Sequence, residues 1–171
     1  MDHSAFDSYA FLVEADGKRL IYSGDFREHG RKQKAFQWFL EHAPEDVDVL
    51  LLEGTVLDRG LKGKGVGEFN SETEIEDETV KLLGASKNIT LWEGYLPDDA
   101  MQKMMRFIKK KNMKFYQIHT SGHAEIDTLK KVVKKLKPGR IIPIHTFHPD
   151  KYSGLFNRKI EQVSDGEVFE V

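Results

Sequence analysis

Hydrophobic and polar positions divide the chain into short, well-punctuated segments. Tyr9 to Glu14 is rich in apolar residues and reads as a strand. Asp16-Gly17 is a hairpin turn signal. Arg19 to Ser23 forms the return strand, stopped by Gly24. Ala35, Phe36, Phe39 and Leu40 line one side of a helix, with Pro44 beyond its end. Val47 to Leu52 is an apolar run bounded by charge, the pattern of a buried parallel strand. Ser71 with Glu74 three residues later forms a capping box, opening a helix that Gly84 ends.

Ile89 to Trp92 and Phe115 to Ile118 read as further strands. Between them a helix opens at Pro97-Asp98-Asp99. It carries Met101, Met104, Met105 and Ile108 on one face, a stripe better read as core than as a cofactor box. Glu125 to Leu136 is a helix with Ile126, Leu129, Val132, Val133 and Leu136 inward, and Lys137-Pro138-Gly139 ends it. Arg140 to Ile144 is a strand. Two short strands near Ile160 and Val168 flank the Asp165-Gly166 turn. The alternation in the middle predicts a parallel sheet with right-handed crossovers, and the two ends add antiparallel hairpins.

Composition narrows the class. The 171 residues suit a single domain with a real core. Apolar residues make up 39% and charged residues 32%, which excludes collagen-like and mucin-like chains. No run approaches the roughly 20 apolar residues of a spanning helix, and no membrane partner is expected. A net charge of −2 gives no global basic field for nucleic acid. The absence of cysteine excludes disulfides, thiolate nucleophiles and Cys-ligated metals. Met1-Asp2-His3-Ser4 has neither a basic nor an apolar leader pattern, so a cytoplasmic location is expected.

The segment from Asp58 to Asn70 carries Gly60, Gly63, Gly65 and Gly67 with two lysines. It lacks the Gly-Lys-Ser/Thr of a P-loop and reads as a flexible surface loop. Lys130, Lys131, Lys134 and Lys135 read first as the solvated face of their helix. With the loop at 62–67 they would form a local nucleic-acid contact in a weaker reading.

Ligands of an open α/β sheet sit beyond the carboxyl ends of its strands. There the chain places Gly24-Asp25, Glu53-Gly54-Thr55, Glu93-Gly94, His119-Thr120-Ser121-Gly122-His123 and His145-Thr146. Imidazoles and carboxylates together are the ligand set of zinc or manganese, and they supply acid–base groups near neutral pH. Singly, Asp25 and Glu53 could cap turns, His119 and His123 could be surface histidines, and His145 a core imidazole. His29, His42 and His148 are left structural or solvent-facing. Six acidic or imidazole groups on one edge favour a site.

These residues resemble a family. Asp2-His3-Ser4, Asp7-Ser8-Tyr9-Ala10-Phe11 and Tyr22-Ser23-Gly24-Asp25-Phe26-Arg27 resemble the middle of a metallo-β-lactamase-fold hydrolase. Leu52-Glu53-Gly54-Thr55, His119-Thr120-Ser121-Gly122-His123-Ala124 and Pro143-Ile144-His145-Thr146 look like further motifs of its β-CASP branch, the branch of ribonuclease J. The resemblance implies an α/β fold: half of an αββα sandwich, a mixed sheet with helices mainly on one face. It implies metal ligation by His3, Asp25 and His145, with Asp25 bridging two metals in the family. Glu53 would support the site from behind the ligands, and His123 would touch the scissile phosphate or the departing oxygen. Asp25, Glu53 and His123 are thus the catalytic candidates. The implied cofactor is zinc, with manganese the alternative, and the implied reaction is hydrolysis of RNA or another phosphodiester.

The chain departs from the family at two places. It contains no His-x-His-x-Asp-His string. Between Glu53 and Leu91-Trp92-Glu93-Gly94 lie only the glycine-rich loop and one helix, where the branch inserts a cap domain. Residues 1–171 are therefore expected to form one domain resembling the C-terminal part of the fold, with 54–90 the site of a shortened or deleted cap. At most one ion is expected, with weak activity or none. The competing reading is a non-catalytic half-fold that holds at most one metal and covers an exposed sheet face by forming a homodimer or by binding another chain.

Overall fold

A computed structural model describes residues 1–5, 7–57, 71–85, 88–90, 99–112, 114–116 and 121–171. The glycine-rich loop, Trp92-Glu93-Gly94, His119 and the side chains of Met101 and Met104 lie outside the described residues. The chain divides into two compact units, residues 1–68 with 121–171, and residues 69–120.

The larger unit is built on a five-stranded sheet in the order β1-β2-β3-β6-β7. Strand β1 (Phe11–Ala15) pairs antiparallel with β2 (Lys18–Tyr22) through the Asp16-Gly17 turn. Both turn residues lie at positive φ, +50° and +76°. That is the backbone of the two-residue turn whose twist matches a hairpin, and it favours Asp-Gly. From β2 onward the ladder is parallel, through β3 (Val49–Glu53), β6 (Arg140–Ile144) and β7 (Lys159–Ile160).

Ile21, Leu50 and Ile141 stand in register on one face of this sheet, with Leu52 two residues along β3. They pack with Phe36 of α1 (Gln33–His42) and with Leu129, Val132, Val133 and Leu136 of α4 (Ile126–Leu136). Tyr152, from a helical turn α5 (Tyr152–Leu155), and Phe156 complete the core. The sequence expected α4 and its inward residues. Its last carbonyls are closed by Lys137, at φ +45°, whose N–H donates to Val133. The helices of this unit therefore cover one face, as an α/β half-sandwich requires.

The opposite face is less covered. Phe11 is opposite Tyr22, which is opposite Leu51, which is opposite Ile142. Ile142 is buried, but Phe11 is 57% exposed and Tyr22 40%. Val13 and Tyr9 add further exposed apolar surface at the same edge.

Two expectations fail. The C-terminal hairpin is absent: β7 runs parallel to β6, and Val168 lies in no strand. The Asp165-Gly166 turn does form, closed by Glu167 N–H donating to Ser164 O at 3.0 Å. The strands expected at 89–92 and 115–118 also do not extend the main sheet among the described residues. Instead β4 (Asn88–Thr90) and β5 (Lys114–Tyr116) pair parallel with each other.

That pair belongs to the smaller unit, with α2 (Glu72–Ala85) and α3 (Asp99–Lys110). The capping box is present in both directions. Glu74 N–H donates to Ser71 Oγ at 3.3 Å, and Ser71 N–H donates to Glu74 Oε2 at 2.7 Å. On α3, Ile108 is buried, as its place on the methionine stripe requires.

Candidate metal centre

Three parallel strands, β2, β3 and β6, end side by side, and their carboxyl-end loops carry the expected residues. Beyond β2, Gly24 has φ +59°, and a Cβ there would lie 2.5 Å from Tyr9 O. Only glycine fits this bend, which turns Asp25 over the sheet edge. Ser8 Oγ donates to Asp25 O at 2.9 Å and fixes that residue's backbone.

Beyond β3 sits Glu53, with no exposed surface. Its two oxygens accept from Thr55 N–H and Ala124 N–H, each at 3.0 Å. Oε2 also lies 3.6 Å from His123 Nδ1. Glu53 thus joins its own loop to residues 121–124 and faces one nitrogen of His123, leaving Nε2 for the cluster. Gly54 is held close under Tyr152, where a Cβ would lie 2.2 Å from the hydroxyl. Tyr152 donates to Leu52 O at 2.9 Å. Burial, and secondarily the Glu53 charge, pushes its phenol far above the ordinary tyrosine value.

Beyond β6, His145 has φ +46°, a left-handed backbone rarely adopted by non-glycine residues and often found at functional sites. Thr55 Oγ1 donates to His145 O at 3.1 Å. The ring's Nδ1 lies 2.6 Å from Asp25 Oδ1. A proton on Nδ1, held by that carboxylate, leaves Nε2 as the free donor.

His3 reaches the same edge from the amino-terminal segment. Its Nδ1 accepts from Ala5 N–H at 3.0 Å. Burial, followed by the neighbouring His123, lowers its pKa, with Asp25 opposing the shift. The shift favours the neutral ring, the form that binds metals.

The structure brings His3, Asp25, Glu53, His123 and His145 together. Ring centroids are 5.7 Å apart for His3 and His123 and 5.4 Å for His123 and His145. His3, Asp25 and His123 offer donor atoms all within 4.8 Å of one another. Ligands around a tetrahedral zinc, each 2.0–2.2 Å from it, are about 3.4 Å apart. The donors of this group are spread more widely than that, and two imidazoles with a carboxylate are the donor types of a catalytic zinc site.

Sequence reasoning missed the roles of Thr55, Ser23 and Arg27, although all three lie inside the quoted motifs. Ser23 Oγ donates to Gly24 O and accepts from Glu53 N–H, tying two strand ends together. A hydroxyl between two strands carries no sequence signal of its own.

Residues 108–152 match the family model RMMBL, the Zn-dependent metallo-hydrolase RNA specificity domain. That segment holds His123 and His145, and the match supports a relationship to metallo-β-lactamase-type proteins. No curated protein matches the chain. Among solved structures, the fold is similar to a protein of unknown function from Enterococcus faecalis V583, with a TM-score of 0.70 at 17% sequence identity. The superposition covers 95% of this chain and 60% of that one. The chain thus spans three-fifths of that structure's length, and the likeness concerns the α/β fold. Among the described residues, no helix is long and apolar enough to cross a membrane.

Proposed function

We propose that the edge cluster holds one zinc ion, or manganese in its place, and that the chain is part of a metal-dependent hydrolase directed at RNA or another phosphodiester. The observation that carries this reading is the convergence of His3, Asp25, His123 and His145 at three adjacent strand ends. The RNA-specificity segment at 108–152 gives the substrate class its support.

His3, Asp25 and His145 would hold the ion in this reading, which requires the His145 ring to exchange its Nδ1 bond to Asp25 for the metal while its backbone stays tied to Thr55. A bound ion would supply Lewis acidity and an activated water near neutral pH. Glu53 holds the loop of His123 through Ala124 and orients its ring. His123 Nε2 then faces the departing oxygen, where it can donate a proton. The donor distances also bring His123 within reach of the ion, and metal content separates the two assignments. Loss of zinc in His145→Ala with zinc retained in His123→Ala supports His145 as ligand; the reverse makes His123 the ligand.

Three protein ligands serve one ion, and among the described residues a second ion would share Asp25 and gain at most one further histidine. Weak hydrolysis by this chain alone is the expectation. The decisive experiment is metal analysis of the purified chain together with cleavage of an end-labelled RNA. Absence of bound zinc after loading, with no difference between wild type and Asp25→Ala, would refute the proposal.

The exposed apolar strip of Tyr9, Phe11, Val13 and Tyr22 favours a second property, self-association through the open sheet face. Exposed patches of this kind mark interfaces on soluble proteins. Sedimentation at micromolar concentration distinguishes a homodimer from a monomer.

A further inference from the structure

A buried ion pair behind the candidate centre touches the segments that carry His3, Asp25 and His123, the three groups whose donor atoms lie within 4.8 Å of one another. Arg27 is 2% exposed and Asp2 has no exposed surface. Arg27 N–H donates to Asp2 O at 2.8 Å, and its Nε lies 3.7 Å from Asp2 Oδ1. Asp2 Oδ2 accepts from Gly30 N–H at 2.7 Å, and Oδ1 accepts from Lys32 N–H at 3.3 Å. The far end of the guanidinium donates through Nη1 to Ser121 O at 3.0 Å. A Cβ on Gly30 would lie 2.4 Å from Arg27 Nε, so the pair sits in a close-fitting niche.

Each partner adjoins a donor. His3 follows Asp2, Asp25 precedes Arg27 by two residues, and His123 follows Ser121 by two. His123 N–H donates to Ser121 Oγ at 3.1 Å, so a shift of Ser121 is carried to the imidazole. No short stretch of chain fixes His3 against His123; the guanidinium does so through space.

We propose that Arg27 is a positioning residue, whose buried guanidinium, paired with Asp2, locks His3 and the loop of His123 onto Asp25. The inference rests on the metal-site reading above. Burying a charge pair is a poor way to gain stability, because desolvation offsets the attraction. Its two-ended geometry gives instead a fixed distance between segments remote in sequence. Groups that orient metal ligands from behind typically change metal affinity by about 10–100-fold when altered.

The test compares wild type with Asp2→Asn, Arg27→Lys and Arg27→Met. Zinc affinity is measured by competition with a chromophoric chelator. The urea midpoint of the metal-free form, and the NMR contact between the His3 and His123 rings, are measured alongside. Asp2→Asn keeps the shape and the acceptor for Gly30, so it serves as the folded control should Arg27→Met fail to fold. The expected result is about a 10–100-fold loss of zinc affinity in folded Asp2→Asn and Arg27→Lys, with a weakened ring contact even without zinc. A merely structural role would lower the urea midpoint while leaving zinc affinity and the ring contact of the folded molecules unchanged. That outcome overturns the inference. Failure of wild type to bind zinc would instead refute the metal reading, and an intact ring contact in the metal-free variants would overturn the positioning role by itself.

Discussion

Replacing Glu53 by Gln tests whether the buried carboxylate holds the two loops together. The change keeps the side chain's size. One oxygen still accepts from Thr55 or Ala124, but the new NH2 meets the other N–H donor at about the former 3.0 Å. Two charge-assisted bonds, each worth about 1.5–3 kcal/mol, become one neutral bond worth about 1 kcal/mol plus one unsatisfied buried donor. The neutral amide escapes the cost of burying a charge, which returns part of the loss. The net expectation is a destabilisation of about 2 kcal/mol. With a urea slope of about 2 kcal/mol per M, the midpoint falls by about 1 M. Hydrogen exchange gives the local signature: the Ala124 and Thr55 amides should exchange faster, while amides in β3 keep their ranking. An unchanged midpoint together with unchanged protection of both amides would refute the reasoning, because the carboxylate would then hold neither loop.

Other perturbations follow from single contacts. Replacing His123 by Ala should leave zinc content intact while removing residual RNA cleavage, measured by elemental analysis and an end-labelled substrate. Gly54→Ala should destabilise strongly, by about 2–4 kcal/mol, because its Cβ would overlap the Tyr152 hydroxyl; adding Tyr152→Phe should recover part of this, and strictly additive midpoints would contradict the contact. Zinc at 100 times its Kd should stabilise the protein by about 2.7 kcal/mol, reversed by a chelator, and a melting temperature indifferent to both would count against the site. Asp48 accepts from Lys18 Nζ and Arg19 N–H, each at 2.9 Å, and the Lys18 bond, then the Arg19 bond, holds its carboxyl below the usual 3.8. A depressed pKa stabilises above the unfolded value, so the advantage of wild type over Asp48→Asn should shrink as pH falls below about 4; a constant difference from pH 7 to pH 2.5 would show that the charge contributes nothing.

Local chemistry was readable where it is locally decided. The Asp16-Gly17 turn, the Ser71–Glu74 box and the inward face of α4 each depend on residues a few positions apart. The strand-end rule likewise placed Asp25, Glu53 and His145 at one edge, while His123 reaches that edge although the strand before it, β5, lies outside the main sheet. What the pattern could not decide was pairing. Residues 88–90 (Asn-Ile-Thr) and 114–116 (Lys-Phe-Tyr) carry no pattern that selects one ladder over another, and tertiary packing makes them partners of each other. The Val168 segment looked like a strand because Val168, Phe169 and Val171 follow a turn, yet it has no partner in register. The Arg27–Asp2 pair was invisible for a further reason: charged residues are expected at the surface, and burial of this pair depends on a carbonyl at residue 121.

The pairing of β3 with β6 has a consequence for how the chain acquires its shape. These adjacent strands are separated by roughly 85 residues, which contain the whole of the smaller unit. Closing so long a loop is an entropic toll levied before any contact between the strands forms, and the toll grows as 1.5RT times the logarithm of loop length. Joining Glu53 to Arg140 by about 20 residues instead would lower it by about 1.3 kcal/mol. Assembly of the edge cluster must therefore wait until residue 145 has been synthesised, long after His3 emerged. The smaller unit can gain its own helices during that interval. Zinc capture by a nascent chain would consequently report completion of the central ladder, and a shortened crossover should hasten it.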